Sequence, residues 1–336
     1  MDRKKTTVII VTLSSILVLG QLSGVQSFVD RYGPAAKGQY AFELFGSGQE
    51  DGALLSMIKV EAEKRRVPPV DAVNDRVWKA IPGYNGLEVD IDKTYQRALG
   101  LKKESARGNL AVDQIPFVYK EIPAKITLDD LGPLPIYRGN PNKKMVSFMI
   151  NVAWGNEFIV PMLNTLDAAK VKATFFLDGS WLKKNVELAK EIQKRGHQIE
   201  NHAYSHPNMS QLNESRATLE ITKTKDLLKE SLGVDNKWFA PPSGDFNQNT
   251  VQLAAAQGLR TVLWTVDTVD WMNPLPSSVV TKIGKKVEAG SLILMHPTKS
   301  SMNALQGMID VVRQKGLQLG TVEETLSPAR LGKPQS

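Results

Sequence analysis

The sequence predicts an α/β fold with a parallel sheet, either a β/α barrel or a doubly wound sheet, from Lys144 onward. Two observations predict this fold. Short apolar segments alternate strictly with amphipathic helical segments, and polar side chains stand at or just after the ends of the apolar segments. Parallel β/α folds collect their functional residues at the carboxyl ends of the strands, so the same pattern also predicts where a site lies.

The individual elements follow from the spacing of apolar residues. Strands are predicted over residues 145–151, 173–177, 198–202, 238–241, 261–267, 292–296 and 317–320. Helices are predicted over residues 158–169, 181–195, 214–232, 250–257, 277–288 and 304–315. The polar residues that follow strand ends are Asn151, His202, His206, Asp267, Asp270 and His296. His197 lies at the opposite end of its strand and is interpreted as structural.

The chain before this region divides into two parts. Residues 1–29 begin with a charged Asp2-Arg3-Lys4-Lys5 run that precedes an uncharged, apolar stretch, which is typical of a signal peptide or signal anchor. The stretch is diluted by polar residues, whereas a membrane span needs about 20 apolar residues, so cleavage and retention both stay open, with an anchor slightly favoured. Either places the protein outside the cytoplasm, membrane-anchored or secreted.

Residues 30–141 are predicted to form a small α+β module of unknown role. It contains helices over residues 52–66 and 70–81, a strand over 87–91, a third helix and a strand over 115–119. A linker rich in Pro and Gly ends the module at residue 141, the domain predicted to follow covers residues 142–328, and residues 329–336 form a tail.

Composition limits the chemistry and the partners. Among 336 residues, 42 Lys and Arg stand against 35 Asp and Glu, a net charge of +7. These charges are scattered, so no nucleic-acid partner is expected, and a wall polymer or a membrane surface suits the modest excess. Because the chain has no cysteine, a metal would need His, carboxylate or amide ligands. His202 and His206, four residues apart, are the candidate pair, although such a spacing alone is more often structural.

Five motifs carry a family resemblance. They cover residues 172–176, 201–207, 241–244, 264–271 and 292–296. In order and spacing they resemble the polysaccharide deacetylases of carbohydrate esterase family four, which contain a NodB homology domain. The resemblance implies a deformed (β/α)7 barrel that removes N-acetyl groups from a polymer containing GlcNAc, with peptidoglycan as the expected partner. It also implies a divalent metal, with zinc as the expected ion, held by an Asp and two His.

The resemblance assigns roles to residues of this chain. It implies His202 and His206 as metal ligands and His296 as the acid that protonates the departing amine. Asp270 would tune that acid, and Asp267 lies in the same motif. The residues expected to bind substrate are Pro242, Gly244, Tyr204 and Trp271.

The chain departs from the family pattern in its first motif. Two adjacent aspartates, the base and a metal ligand, are expected where the chain has Asn151 and Val152. An amide cannot take a proton from water at neutral pH, and valine cannot bind a metal. The third motif has Ala240 in place of an arginine that pairs with the base. An arginine without that base would be an unpaired buried charge, so the two losses are consistent.

Three carboxylates are candidates to replace the missing groups. Glu200 shares a strand face with His202, while Asp178 and Asp245 lie near the second strand end and the third motif. The simpler interpretation is that all three are hydrogen-bonded or solvated. Two functions therefore stay open. The first is an exported cell-wall N-deacetylase with an atypical metal site. The second is an inactive wall-binding protein whose aromatic residues stack on sugars, with Trp154, Tyr204, Phe246 and Trp271 as the candidates.

Overall fold

The structure is a computed structural model that describes residues 49–104 and 110–332. The predicted signal or anchor over residues 1–29 lies outside these ranges, as do the first part of the predicted module and the end of the predicted tail. Within the described ranges, no helix is both long enough and apolar enough to cross a membrane.

The chain divides into two compact units. In the first, which includes residues 91–115, the described helices are α1 (Gln49–Lys64, whose last turn belongs to the second unit) and α2 (Ile91–Glu104). Helix α1 buries Leu54 and Ile58, and α2 buries Ala98. The helix predicted over residues 52–66 is therefore present.

The second unit comprises residues 62–90 and everything from residue 116. It contains two antiparallel pairs, β1 (Val73–Asp75) with β2 (Lys79–Ile81), and β3 (Gly86–Val89) with β4 (Tyr119–Ile122). The helix predicted over residues 70–81 was wrong, because Asp75 Oδ1 accepts hydrogen bonds from two backbone N–H groups ahead of it and closes a turn. The strand predicted over residues 115–119 begins only at its last residue.

A curled parallel sheet forms the centre of the second unit. Its strands are β5 (Met145–Val152), β6 (Thr174–Leu177), β7 (Gln198–Asn201), β8 (Trp238–Phe239), β9 (Arg260–Thr261), β10 (Val266–Asp267), β11 (Leu292–Met295) and β12 (Gln318–Gly320). They are ordered β10-β11-β5-β6-β7-β8-β9, and β12 pairs with the start of β5. The predicted alternation of strands and helices is thus confirmed, and the sheet is consistent with a deformed barrel.

The strand predicted over residues 261–267 is divided. Its two ends, β9 and β10, lie at opposite edges of the hydrogen-bonded order, so the chain between them crosses the gap in the curled sheet. Ile136 lies beside this crossing, where its N–H donates to Thr261 O at 3.0 Å and its carbonyl accepts from Leu263 N at 2.8 Å. The predicted linker therefore contributes a bridge at the edge of the sheet. The predicted boundary at residue 141 stays a prediction.

Helices follow the strands along the chain. They are α3 (Asn156–Ala168), α4 (Gly179–Lys184), α5 (Val186–Lys194), α6 (Glu214–Leu232), α7 (Gln248–Ala256), α8 (Pro276–Lys286), α9 (Lys299–Gln314) and α10 (Val322–Leu326). The helix predicted over residues 181–195 is two helices, because Asn185 at φ −132° breaks the helical backbone. Helix α10 was not predicted.

The pleat of β5 separates two environments. Phe148, Ile150 and Val152 belong to the large apolar cluster that includes residues of α3 and α9, so their side chains lie on the outer face of the sheet. Met149 packs in a second cluster on the other face, with Phe176 of β6. Side chains alternate along a strand, so Asn151 projects to the inner face as Met149 does.

Glu200 places a buried carboxyl group on the inner face of the sheet. Glu200 on β7 is 3% exposed, and its carboxyl accepts from Lys237 N, Trp238 N and Gln198 Nε2. Burial raises its pKa from 4.5 to about 7, although the hydrogen bonds oppose the rise. The carboxyl group therefore changes its protonation state around neutral pH.

This carboxyl predicts a pH dependence of stability. A folded pKa of about 7 against 4.5 means that the contribution of Glu200 is fully present below pH 4.5 and is lost as the pH rises through 7. Glu200→Gln removes this titration. The stability of the parent relative to Glu200→Gln should therefore fall by about 2–3 kcal/mol between pH 5 and pH 8, as measured by urea unfolding.

The comparison with the variant is necessary because buried histidines change the stability with pH in the direction opposite to Glu200. Burial lowers the pKa of His197 to about 4 and that of His202 to about 3, so both lose stability as the pH falls below 6.5. They contribute equally to the parent and to the variant. A difference between the two that does not change with pH would contradict the assignment to Glu200.

Candidate functional site

A cavity of about 470 Å³ lies at the carboxyl ends of the strands, where the sequence predicts the site. Its lining residues come from β5, β10, β11 and the loops that follow the strands. They are Asn151, Trp154, His206, Ser243, Trp264, Asp267, Trp271, Leu294 and His296. The fold thus brings together five of the predicted site residues, Trp271 among them, and two further tryptophans.

Asp270 and His296 form the most completely bonded pair of the site. Asp270 Oδ1 lies 2.8 Å from His296 Nδ1, and Oδ2 accepts from His296 N at 2.6 Å and from the Ser301 hydroxyl. Burial alone would raise the pKa of Asp270, but the hydrogen bonds and the charge of His296 outweigh it and lower the pKa. The carboxylate therefore stays ionised and orients the imidazole, whose other nitrogen is Nε2.

The loop after β7 carries the two other histidines. His202 Nδ1 lies 2.7 Å from Ala240 O, and since a carbonyl only accepts, Nδ1 holds the proton and Nε2 is a free lone pair. The rings of His202 and His206 are 5.2 Å apart. Burial lowers the pKa of both histidines, so both are neutral at pH 7.

Two residues that were not predicted hold this loop. Glu220 on α6 accepts from Tyr204 N, Ser205 N and the Ser205 hydroxyl at 2.7–3.0 Å. Asn201 accepts from Ala203 N and donates to Ile221 O, both at 2.9 Å. A glutamate on the apolar stripe of α6 was the available sequence signal for Glu220, because buried carboxylates are kept only when they are bonded.

Backbone strain is concentrated around the cavity. Ala203, His206, Ser243 and Val269 have φ of 59°, 56°, 55° and 58°, the left-handed region that non-glycine residues rarely adopt. Each lies in a loop that follows a strand. The surrounding hydrogen bonds, such as Val269 N to Asp267 Oδ1 at 2.7 Å, hold them there.

Asn151 and Val152 take separate places, as the pleat of β5 requires. Asn151 is 3% exposed and lines the cavity, and its Oδ1 has no hydrogen-bond partner among the described residues. Val152 is fully buried in the outer apolar cluster. The cavity therefore has an amide where the family resemblance implies a base, and the next side chain adds no ligand.

Each of the three proposed replacement carboxylates accepts hydrogen bonds from groups outside the cavity lining. Glu200 is bonded on the inner face as described above. Asp178 caps α4, where Oδ1 accepts from Trp181 N and the Ser180 hydroxyl. Asp245 accepts from Ser210 N and the Ser210 hydroxyl. None of the three lines the cavity. Of the three, Asp178 most resembles a free ligand or base, because its buried Oδ2 has no partner within the described chain. Burial raises the pKa of Asp178 despite the charge of His206.

The predicted substrate-binding residues are divided between the cavity and its support. Trp271 lines the cavity and is 61% exposed. Gly244 packs against the indole of Trp264, and Pro242 is buried in the short turn that carries Ser243 into the lining. Tyr204 packs against Gly179, and Lys223 Nζ lies 3.8 Å from its ring centroid. Phe246, a further candidate for sugar stacking, is also absent from the lining.

The implied metal does not fit the residues that are present. Two neutral imidazoles have suitable lone pairs, but zinc sites in proteins use three or four protein ligands. The described residues contain no group of three His, Cys, Asp or Glu placed to hold a metal ion. No chemical step is therefore derived through a metal for this chain.

Comparison with known proteins identifies the family. The family model described as Polysaccharide deacetylase matches residues 138–262. A peptidoglycan-N-acetylglucosamine deacetylase of Bacillus cereus is 34% identical over 254 residues, which cover 70% of this chain and 90% of that protein. The chain belongs to the polysaccharide deacetylase family. The resemblance read from the five motifs is thus confirmed.

Two further relatives are similar over most of the chain. The protein YlxY of Bacillus subtilis is 45% identical over 273 residues, which cover 81% of this chain and 83% of that protein. The crystal structure of BA3943 from Bacillus anthracis, described as a pseudoenzyme of carbohydrate esterase family four, has 38% identity and a TM-score of 0.74. It covers 83% of this chain and 96% of that one. A mutant of BA3943 is described as having restored enzymatic activity.

The family consists of hydrolases that act on carbon–nitrogen bonds of polysaccharides and that depend on metal in general, and it includes proteins described as pseudoenzymes. Membership therefore establishes the type of chemistry for which the fold is used. The residues of the cavity decide what this chain does with it.

We expect Asp270→Asn to destabilise the fold. The asparagine cannot accept all the hydrogen bonds that the buried carboxylate receives, and it loses the charge beside His296. The expected cost is about 2–4 kcal/mol at pH 7 by urea unfolding. The stabilising effect of Asp270 should decline as the pH falls through its lowered pKa, because the unfolded carboxyl with its pKa of 3.8 is protonated first.

Asp267→Asn is the matched control. It removes the same charge from a half-buried carboxylate and keeps an acceptor for Val269 N. Its cost should stay below about 1 kcal/mol. Equal costs for the two variants would contradict the importance given to the pair of Asp270 and His296.

The donor set predicts weak zinc binding. After dialysis against metal-free buffer, the protein should hold far less than one equivalent of zinc by elemental analysis, and His206→Ala should change this little. The B. cereus deacetylase, treated identically, is the control for a metal-dependent relative. Stoichiometric zinc that is lost in His206→Ala would show that the chain completes the site in another way.

Proposed function

We propose that this protein binds a wall polysaccharide containing GlcNAc, most simply peptidoglycan, in the cavity at the strand ends and does not hydrolyse it. One observation carries the proposal: the cavity has Asn151 at the end of β5, while Val152 faces the apolar core. These two positions therefore supply neither a base nor a carboxylate ligand. The similarity to BA3943 over most of the chain supports the proposal.

Polymer binding is proposed because the cavity is lined by aromatic side chains that can contact sugar rings. Trp154, Trp264 and Trp271 line it, and indole faces stack on the apolar faces of sugar rings. Trp154 and Trp271 are 46% and 61% exposed, so both are open to a ligand. Peptidoglycan is chosen as the polymer because relatives bear the names of peptidoglycan deacetylases.

An N-deacetylase that is slow or has a narrow range of substrates is the second candidate, and one observation favours it. Asp270 and His296 keep a complete hydrogen-bonded arrangement in which an oriented imidazole nitrogen, Nε2, remains for proton transfer. A protein that only binds polymer has little need for this pair. In this alternative, a group other than Asn151 must accept the proton of water.

The proposed location is outside the cytoplasm, in contact with the wall. It rests on the charged and apolar N-terminal residues of the sequence and on the wall substrates named for the relatives. Retention by an N-terminal anchor is the form of this proposal that fits the apolar stretch.

The two candidates differ in acetate release. The parent protein should sediment with purified peptidoglycan yet release no acetate above the protein-free background, even with added zinc. Asn151→Asp with saturating zinc should release acetate, because it places a carboxylate at the position of the missing base. Asn151→Asp combined with His206→Ala should again release no acetate. Trp271→Ala should weaken sedimentation with peptidoglycan.

The outcomes separate the candidates. Acetate released by the parent would replace the proposal with the deacetylase. Failure of the parent to bind peptidoglycan, with a thermal unfolding curve that shows an intact fold, would exclude the proposed function. Leu275→Ala is the binding control, because Leu275 is exposed and lies outside the cavity lining.

A further inference from the structure

The composition of the cavity suggests which form of the polymer it prefers. Three indoles line one small space, together with the Asp267 carboxylate. The indoles come from different segments, since Trp154 follows β5, Trp264 precedes β10 and Trp271 follows β10. An arrangement of several aromatic faces with a carboxylate is the type of site that binds an organic ammonium group, because both attract positive charge.

Backbone geometry holds the first of these indoles in place. Gly155 has φ of 82°, and a Cβ on it would collide with the carbonyl oxygen of Pro297. The close approach of these two loops places Trp154 on the neighbouring His296, with ring centroids 5.4 Å apart and planes within 14° of parallel. The same indole meets His206 edge to face at 6.1 Å. Trp154 therefore occupies a defined position over the centre of the site.

The hydrogen-bonding groups of the cavity also suit an ammonium ligand. Asn151 Oδ1 is buried without a donor, and Asp267 Oδ2 receives no hydrogen bond from the described residues, while its Oδ1 accepts from Val269 N. The buried amide oxygen requires a donor, and the half-buried carboxylate oxygen is able to accept one. An ammonium group has three N–H donors and no acceptor, whereas an acetamido group has one N–H donor and a carbonyl that itself requires a donor.

We propose that the cavity recognises the free, protonated amino group of a hexosamine, and thus binds de-N-acetylated polymer in preference to acetylated polymer. The ammonium group would donate to Asn151 Oδ1 and Asp267 Oδ2 and lie against the indole of Trp154 or Trp271. The inference rests on the proposed function, because it specifies the ligand of the same cavity. It makes the protein a reader of the product of N-deacetylation, and no covalent step is involved.

The test compares two ligands that differ only in the acetyl groups. Full-length protein is titrated by calorimetry at pH 6.5 with the tetramer of glucosamine and with the tetramer of N-acetylglucosamine. The glucosamine tetramer should bind roughly tenfold more tightly, which is the size expected from a cation–π contact combined with a charge pair. The measured quantity is the ratio of the two dissociation constants, which a change in fold stability alone does not alter.

Three variants show which side chains recognise the positive charge of the ammonium group. Asp267→Asn keeps the acceptor for Val269 N and removes the charge, so it should bring the ratio of the two dissociation constants close to one. Trp154→Phe should retain part of the preference and Trp154→Ala less, because the attraction of a cation falls from indole to phenyl. Leu275→Ala should behave as the parent does.

Each result supports or overturns the inference. A preference for the glucosamine tetramer that is lost in Asp267→Asn supports it. Equal or tighter binding of the acetylated tetramer overturns it and leaves the proposed polymer binding intact. Binding of neither tetramer, together with no sedimentation on peptidoglycan, overturns the proposed function as well. A preference that persists in both Asp267→Asn and Trp154→Ala overturns the assignment of these groups.

Discussion

The pleat of β5 is the constraint on which the site depends. This strand pairs with β6, β11 and β12, and its side chains alternate between the outer apolar cluster and the inner face. Asn151 must therefore face the cavity, while Val152 must fill the apolar layer beneath the helices. The chemistry of two adjacent residues is thus divided by the geometry of one strand.

Apart from the missing carboxylates, the side chains and loops of the site are held in place by hydrogen bonds. Asp270 receives hydrogen bonds from His296 and Ser301, and Glu220 holds the loop that carries His206. Such buried networks cost free energy unless every group is paired. In the part of the chain that the structure describes, Asn151 Oδ1 and Asp178 Oδ2 have no hydrogen-bond partner. The site is therefore an ordered scaffold with unsatisfied acceptors, which is the state that a cationic ligand would complete.

This arrangement connects the two proposals. A cavity that lacks the ligands for a divalent metal still offers oxygen acceptors, a carboxylate and aromatic faces to a weaker organic cation. The family fold then serves recognition, because the strand ends that position substrate for hydrolysis can position a product for binding. Function on a shared fold is decided by the side chains of the site and not by the fold.

The sequence by itself determined the family, the alternation of strands and helices, and the loss of the base at Asn151, because these follow from local patterns and residue chemistry. It could not show that Trp154 stacks on His296 or that Glu220 supports the histidine loop, since both contacts join segments far apart in the chain. It also misjudged residues 70–81, where a turn closed by Asp75 outweighed helical spacing. Only tertiary structure decided which carboxylates, among Asp178, Glu200 and Asp245, were already engaged.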